Sequence, residues 1–311
     1  MMIVRFNGGL GNQLHQYALY LSLKRRYPNA TIKADVEDFT ESHEYEYALE
    51  SFFGLKLDIV SAEDKRFLTD PPGDSKILNF LYKNWKAYRY KIRKSKKKYI
   101  IDEYTAHTFN HNVYCINDDE NYYFDGHWIH EKYKEGLEEK LRSDLILSPR
   151  LSPKDREIAD NMENSTSIAV HIRRGDYISG KFNTLNICSL DYYKNAIKIM
   201  QEKIGKNKPR FFFFSDDIDY CKESFDYLPN AEFISRSDAP IVDFYMISKC
   251  KCAIIANSTF SHWAVWLTDR ADKIVLYPRY HNMLHKCWCE MSVPKHWIAL
   301  DNLTYSLTPQ A

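Results

Sequence analysis

The chain has almost no net charge: 43 Lys and Arg stand against 42 Asp and Glu, a formal +1 over 311 residues. A general nucleic-acid binder carries a broad basic excess, so that class is excluded. No apolar run approaches the roughly 20 residues that cross a bilayer as a helix. No secretory leader is recognisable, because residues 1–6 run straight into a glycine-rich turn. A cytoplasmic protein is expected, and the Asn-Ser-Thr triplets at Asn164 and Asn257 are then not glycosylation sites. The seven cysteines show no CxxC spacing; Cys250/Cys252 and Cys287/Cys289 are each separated by one residue. That excludes a common zinc pattern and a dense disulfide framework, and reduced thiols are expected. Internal repeats and low-complexity tracts are absent as well.

What is present is an alternation of short apolar runs and helical periodicities. Ile3, Val4 and Phe6 form a first strand, and Asn7-Gly8-Gly9-Leu10-Gly11-Asn12 follows as a loop. Leu14, Tyr17, Ala18 and Leu21 then recur at helical spacing, with Lys24, Arg25 and Arg26 at the end that favours cations. Residues 31–36 read as the next strand and 131–145 as one helix. From about 55 to 125 the pattern weakens, with a break at Pro71-Pro72-Gly73. The two prolines in 147–153 mark a boundary between domains at 1–150 and 151–311. Beyond it, 167–172, 211–214, 231–234, 252–256 and 274–277 read as strands. Helices fall between them, one capped by Ser189, one beginning after Asp238 and one over 260–267. This predicts an α/β protein of two Rossmann-like domains, each with a parallel sheet, facing each other across a cleft. At this length two cores are expected.

Four clusters carry candidate chemistry. His171-Ile172-Arg173-Arg174-Gly175-Asp176 sits where a strand ends, the edge at which open α/β sheets bind ligands. Adjacent guanidinium groups suit phosphate oxygens, Asp176 is placed to orient one of them, and His171 can bond a hydroxyl or phosphate. A surface ion-pair cluster is the competing reading. Asn257-Ser258-Thr259-Phe260 stands between a strand and a helix, where backbone N–H groups bind anions or Ser and Asn merely cap. Gly8, Gly9 and Gly11 let backbone approach a ligand, and Asn12 and Gln13 offer amides for a sugar or pyrophosphate; a plain tight turn is the alternative. Asp216, Asp217 and Asp219 can accept from a guanine edge, hold a metal through Asp217 and Asp219, or cap a helix.

The basic, aromatic stretch 83–98 fits a solvated helix face or a peripheral contact with an anionic membrane. His107, His111 and His281 read as structural or exposed, and Trp263 and Trp266 as core.

Taken together, the motifs resemble the bacterial α-1,2-fucosyltransferases of glycosyltransferase family 11, over most of the chain. The resemblance rests on Gly8-Gly9-Leu10-Gly11-Asn12-Gln13-Leu14-His15-Gln16-Tyr17-Ala18, on Asp125-Gly126-His127-Trp128-Ile129-His130, on His171 to Asp176 (HxRRxD), and on Ser189-Leu190-Asp191-Tyr192-Tyr193. Phe214-Ser215-Asp216-Asp217 and Asn257-Ser258-Thr259-Phe260-Ser261 complete it. It implies a GT-B-type fold, GDP-fucose as donor, a galactose-containing or lipid-linked glycan as acceptor, inversion at the anomeric carbon, no metal or other cofactor, and a place in lipopolysaccharide O-antigen synthesis.

By that resemblance Arg173 and Arg174 hold the β-phosphate. Asp216 lies near the guanine, Ser258, Thr259 and Phe260 lie near the pyrophosphate, and Asn12 lies by the donor sugar. Gly9, Gly11, His171 and Asn257 complete the donor set. The first domain holds the acceptor, with His127 and Trp128 as contacts. His15, Asp176 and an unassigned carboxylate of the first domain remain candidates for the base. His15, His127, Trp128, His130 and His262 depart from the family's usual residues, which bears on the acceptor more than the donor. A metal-dependent transferase using Asp217 and Asp219, and a non-catalytic nucleotide-sugar or membrane-surface binder, are the alternatives.

Overall fold

The computed structural model describes residues 1–41, 45–65, 98–102, 108–178, 180, 182–205, 207–234, 240–282 and 292–304. Pro71-Pro72-Gly73, most of the basic stretch 83–98, His107, Asp238 and the Cys287/Cys289 pair lie outside them. The chain forms two compact units, one of Met1–Tyr104 with Thr108–Leu137 and one essentially of Glu138–Ala311. The divide falls at Leu137, not within 147–153. Pro153 instead opens a helix, behind a Ser152 cap that exchanges bonds with Asp155.

In the first unit β1 (Met2–Arg5) leads into α1 (Leu10–Arg26) and β2 (Ile32–Asp35). Two short helices follow, α2 (Glu37–Glu41) and α3 (Ala48–Phe53), then β3 (Tyr99–Ile101) and β4 (Tyr122–Asp125). All pairings are parallel, in the order β2-β1-β4-β3. The strands are short and mostly buried, as in parallel sheets covered on both faces, though Arg5, Lys33, Asp35 and Asp125 stand within them.

The helix expected over 131–145 is two pieces. Glu131–Tyr133 is a single 3-10 turn, and α4 (Glu138–Asp144) starts after Gly136, whose φ of 69° an α-helix cannot contain. Gly136 accepts a bond from Arg25 through its carbonyl at 2.6 Å.

The second unit contains α5 (Pro153–Asn164), β5 (Ser167–Ile172), α6 (Gly175–Ile178), α7 (Leu190–Ile204), β6 (Arg210–Ser215), α8 (Ile218–Phe225) and β7 (Ala231–Ile234). After these come α9 (Pro240–Lys249), β8 (Cys252–Ile254), α10 (Thr259–Trp266), β9 (Val275–Pro278) and β10 (Ile298–Leu300). Its six parallel strands run β10-β9-β8-β5-β6-β7. Counted within the unit this is the doubly wound order 3-2-1-4-5-6, read from β7.

Tyr192, Tyr193, Ala196, Ile197 and Met200 of α7 pack on Val170, Ile172, Phe211 and Phe213. Ser189 caps α7 by accepting from the Tyr192 amide, as its position predicts. Trp263 and Trp266 are core, with ring centroids 5.1 Å apart. Among the described residues no helix is long and apolar enough to cross a membrane. Cys221, Cys250 and Cys252 are buried free thiols, and burial pushes the Cys250 thiol up to about 12.

Candidate functional site

Strand order locates the site of the second unit. The sheet reverses direction between β5 and β8, and ligands of open α/β sheets bind beyond the carboxyl ends at such a switch point. The chain leaving β5 there is Arg173-Arg174-Gly175-Asp176, and the chain leaving β8 is Ile255-Ala256-Asn257-Ser258.

Arg173 is held from two sides: its Nε donates to Asp176 Oδ1 at 2.9 Å, and its Nη1 pairs with Asp216 Oδ2 at 2.9 Å. Arg174 donates through its backbone N–H to Asp216 Oδ1 at 2.8 Å and through Nε to Asp217 Oδ2 at 2.9 Å. Its guanidinium lies over the Tyr220 ring, 3.4 Å from the centroid. Both arginines keep about a third of their side chains exposed, 34% and 27%. The bond from Arg174 holds the Asp217 carboxyl below its ordinary range.

Asp216 thus braces the whole turn, and a Cβ on Gly175 would stand 2.9 Å from its Oδ2. Asp217 also caps α8 by accepting from the Tyr220 amide, and Asp219 pairs with Lys222 on the surface. Of the two carboxylates of the metal alternative, Asp217 is engaged by Arg174 and the α8 amide, and Asp219 is an exposed surface group. Tyr220 was invisible to motif reasoning; its position on the first turn of α8, after a strand that neighbours β5, is the signal for it.

His171 is 6% exposed, and its Nδ1 has no hydrogen-bond partner among the described residues. Its ring meets Phe260 at 5.7 Å. Burial, and then the Arg173 charge, push its pKa down to about 4 from the ordinary 6.5, so it is neutral at pH 7. The unfolded chain binds the extra proton between those values, so the stabilising contribution is full above pH 6.5 and is lost as pH falls toward 4. His171→Gln is expected to flatten that part of the pH–stability curve, measured by urea unfolding at pH 7 and pH 5. An unchanged slope would assign the acid sensitivity elsewhere.

Ser258 occupies the N-cap of α10 without a side-chain capping bond, so its hydroxyl and the first N–H groups of the helix are not spent on each other. Thr259 and Phe260 begin that helix beside His171. Asn257 is different. It is buried, and its Nδ2 donates to the carbonyls of Leu185 and His281, both at 2.8 Å, while Oδ1 accepts from Cys188 Sγ. Asn257, expected within the donor set, therefore has both polar atoms of its amide committed to contacts between loops. Asn302 stitches the same two segments, through Ile187 and Tyr280, and no motif pointed to it.

In the first unit the switch point lies between β1 and β4. Gly8 and Gly9 form the turn, but α1 already begins at Leu10, so Gly11 and Asn12 are helical and not loop residues. Gly8 has φ 72°, and a Cβ there would sit 2.8 Å from Asn12 Nδ2. Asn12 Nδ2 lies 3.3 Å from His127 Nε2.

Gln13 and Gln16 are buried staples. Gln13 bonds Gly8 O, Glu46 O and the Ala48 amide, and Gln16 bonds Asn7 and Gly126 O. Gln13 therefore does not offer its amide to a sugar. His15 is 1% exposed, so it is buried in this structure. Trp128 is likewise fully buried, against Phe124 and Tyr133, and is core instead of an acceptor contact. Its backbone at φ 59° is held by a 2.8 Å bond to Asp102. His127 remains partly exposed at this edge, and His111 is exposed.

Below the turn lies a polar layer that the motifs did not reveal. Arg5 bonds both oxygens of fully buried Asp125 at 3.0 and 3.1 Å and reaches Asp38 at 2.6 Å. Tyr99 donates to Asp125 at 2.6 Å, and Lys65 joins Asp35 to Glu37.

Comparison with known proteins places this arrangement. The chain matches the family described as Glycosyl transferase family 11 over residues 1–301. It is 30% identical over 287 residues to an alpha-1,2-colitosyltransferase of Escherichia coli, covering 89% of this chain and 91% of that protein. It is 38% identical over 123 residues to the O-antigen biosynthesis glycosyltransferase WbnK of Escherichia coli, covering 38% and 39% of the two. Among solved structures it is similar to the alpha-1,6-fucosyltransferase NodZ of Bradyrhizobium, co-crystallised with GDP, with a TM-score of 0.52 and 13% identity over 99% and 96% of the two chains. That likeness bears out the α/β fold of parallel sheets and its GT-B kinship. With the family match spanning both sheets and both switch points, the chain is a glycosyltransferase that belongs to glycosyl transferase family 11.

Proposed function

We propose that this enzyme transfers L-fucose from GDP-fucose to the 2-hydroxyl of a galactose-containing glycan, with inversion and without a metal. The observation that carries the reading is the pair Arg173 and Arg174, fixed by Asp176, Asp216 and Asp217 beside the open N-terminus of α10. Such an edge stabilises charge on a departing diphosphate without help from an ion. The second unit binds the nucleotide, with Asp216 and the β6 end toward the base, and the first unit binds the acceptor near His127. The acceptor hydroxyl attacks the anomeric carbon from the face opposite the diphosphate; the C–O bond to GDP breaks, and the hydroxyl proton passes to a base of the first unit. Asp176 does not serve as that base, because its carboxylate is engaged by Arg173.

A second reading concerns the donor sugar, and the colitosyltransferase relative favours it. Colitose is fucose without its 3-hydroxyl, so one site discriminates the two by whether a polar group awaits that hydroxyl.

The test is transfer to lactose and related galactosides from GDP-fucose and from GDP-colitose, with and without EDTA, the linkage and anomer being read by NMR. An α-1,2-fucosylated product that survives EDTA supports the proposal. Product from GDP-colitose alone moves the donor to the second reading, and loss of product with EDTA, reversed by Mn²⁺, overturns the metal-independent mechanism.

A further inference from the structure

Resting on the nucleotide-sugar reading above, we infer that Tyr220 is a positioning residue for transfer: its ring fixes the Arg174 guanidinium for the departing diphosphate and leaves the edge donors of that group unspent. The guanidinium carbon of Arg174 lies 3.4 Å from the Tyr220 ring centroid, at van der Waals contact with the ring face. An aromatic face holds a cation through its quadrupole, and the in-plane N–H groups stay available to other acceptors. A carboxylate in the same place would spend two of those donors and offset the charge. Arg173 shows that alternative, since Asp176 takes its Nε and Asp216 its Nη1. The Tyr177 ring stands 6.0 Å from Arg173, at the outer limit of such attraction. On Arg174 Asp217 takes Nε alone, and among the described residues nothing bonds Nη1 or Nη2.

Helix geometry puts the ring there. Asp217 is the cap of α8, so Tyr220 is the third helical residue. A side chain on the first turn leans back toward the helix N-terminus, which directs this ring to the chain leaving β6. β6 pairs with β5 as far as Ser215 and Ile172. Just beyond that pair, Arg174 bonds Asp216 through its backbone and Asp217 through Nε. Asp217 then closes a circuit. Its Oδ2 accepts from Arg174, its Oδ1 accepts from the Tyr220 amide at 3.2 Å, and the Tyr220 ring returns to Arg174. Tyr220 also packs on the core that contains Cys221 and Phe225, which limits the freedom of the ring.

Such support matters most in the transition state. The diphosphate gains negative charge as its bond to the sugar breaks, and a donor already in place stabilises that charge without reorganising. Without the ring, the bond from Nε to Asp217 is a single pivot about which the guanidinium can turn, and Asp217 is itself 39% exposed. A second contact, on the face of the group, removes that freedom. Tyr220 therefore acts through Arg174, and on the rate more than on binding.

The experiment is steady-state transfer to lactose from GDP-fucose and GDP-colitose, with GDP affinity by calorimetry and melting temperatures as the folding control. The variants are Tyr220→Phe, the ringless Tyr220→Leu and Tyr220→Met, Arg174→Ala, and Tyr220→Leu combined with Arg174→Ala. The ringless variants are expected to lower kcat about 3- to 30-fold, the worth of a cation–ring contact, and to change GDP affinity less. Tyr220→Phe keeps the ring and is expected to stay near wild type. With Arg174 already removed, Tyr220→Leu is expected to cost nothing more. Wild-type kcat in both ringless variants, while Arg174→Ala loses transfer, overturns the inference and spares the functional reading. So does a Tyr220→Phe variant as slow as Tyr220→Leu, or a full further loss in the double variant, since either means a role that does not run through the ring and Arg174. Transfer from another sugar nucleotide alone overturns the donor reading, and Tyr220 is then judged on that donor by the same criterion. Wild type that transfers from no sugar nucleotide overturns both.

Discussion

Arg174→Ala is expected to lower the turnover of sugar transfer by about 10²–10³-fold, the usual consequence of removing one preorganised donor to a developing charge. The structure explains why this arginine should matter so much. Its plane is set by the Tyr220 ring beneath it, its Nε by Asp217, and its backbone by Asp216, leaving the outer edge of the guanidinium to face a ligand. The negative charge on the departing diphosphate is larger in the transition state than in the bound donor. The loss should therefore appear mainly in kcat and less in the affinity for GDP. Arg174→Lys is not a conservative replacement, because an ammonium neither stacks on Tyr220 in the same way nor forms a planar fork. Steady-state kinetics with the donor varied separates the two effects. A variant that keeps kcat within about threefold of wild type would place the leaving-group charge on other residues.

The second large effect is on stability and falls in the first unit. Arg5→Met is expected to cost about 3 kcal/mol, the lower end for breaking a buried ion pair, because Arg5 itself is partly exposed. Asp125 is fully buried, and the substitution removes its guanidinium while the bond from Tyr99 remains. At the usual scaling the melting temperature of that unit falls by roughly 6–12 °C. Differential scanning calorimetry should show the shift in the transition of the first unit, with that of the second little changed. Equal shifts in both transitions, or none, would mean that the Arg5 pair is not what holds the β1 and β4 ends together.

Most of the second unit can be read from the residues. Its strands are nearly continuous apolar runs such as Phe211 to Phe214, its helices are amphipathic with recognisable caps such as Ser189, and its arginine pair sits just past a strand. What spacing cannot supply is lateral order. That the loops carrying Arg173 and Asn257 leave neighbouring strands depends on β8 lying beside β5, and nothing local encodes that. The first unit was less legible because its polar residues look alike in sequence. Asn12 and Gln13 are adjacent amides, yet one meets His127 and the other is a buried staple. Trp128 and His127 are adjacent too, and a positive φ at Trp128 turns the indole into the core. The 131–145 helix failed because periodicity does not register a glycine whose conformation ends one helix before the next begins.

The parallel order of the first sheet has a consequence for how the chain is made. β1 has β2 on one side and β4 on the other, and its pairing with β4 joins Met2 to Tyr122. A ribosome therefore releases the central strand of this unit long before one of its two neighbours exists. Until residue 125 has emerged, Ile3 and Val4 lack half of their eventual cover, and closing so long a loop is entropically costly and slow. Synthesis rate, and whatever shields the nascent first strand in that interval, then governs how much of this enzyme reaches its folded state.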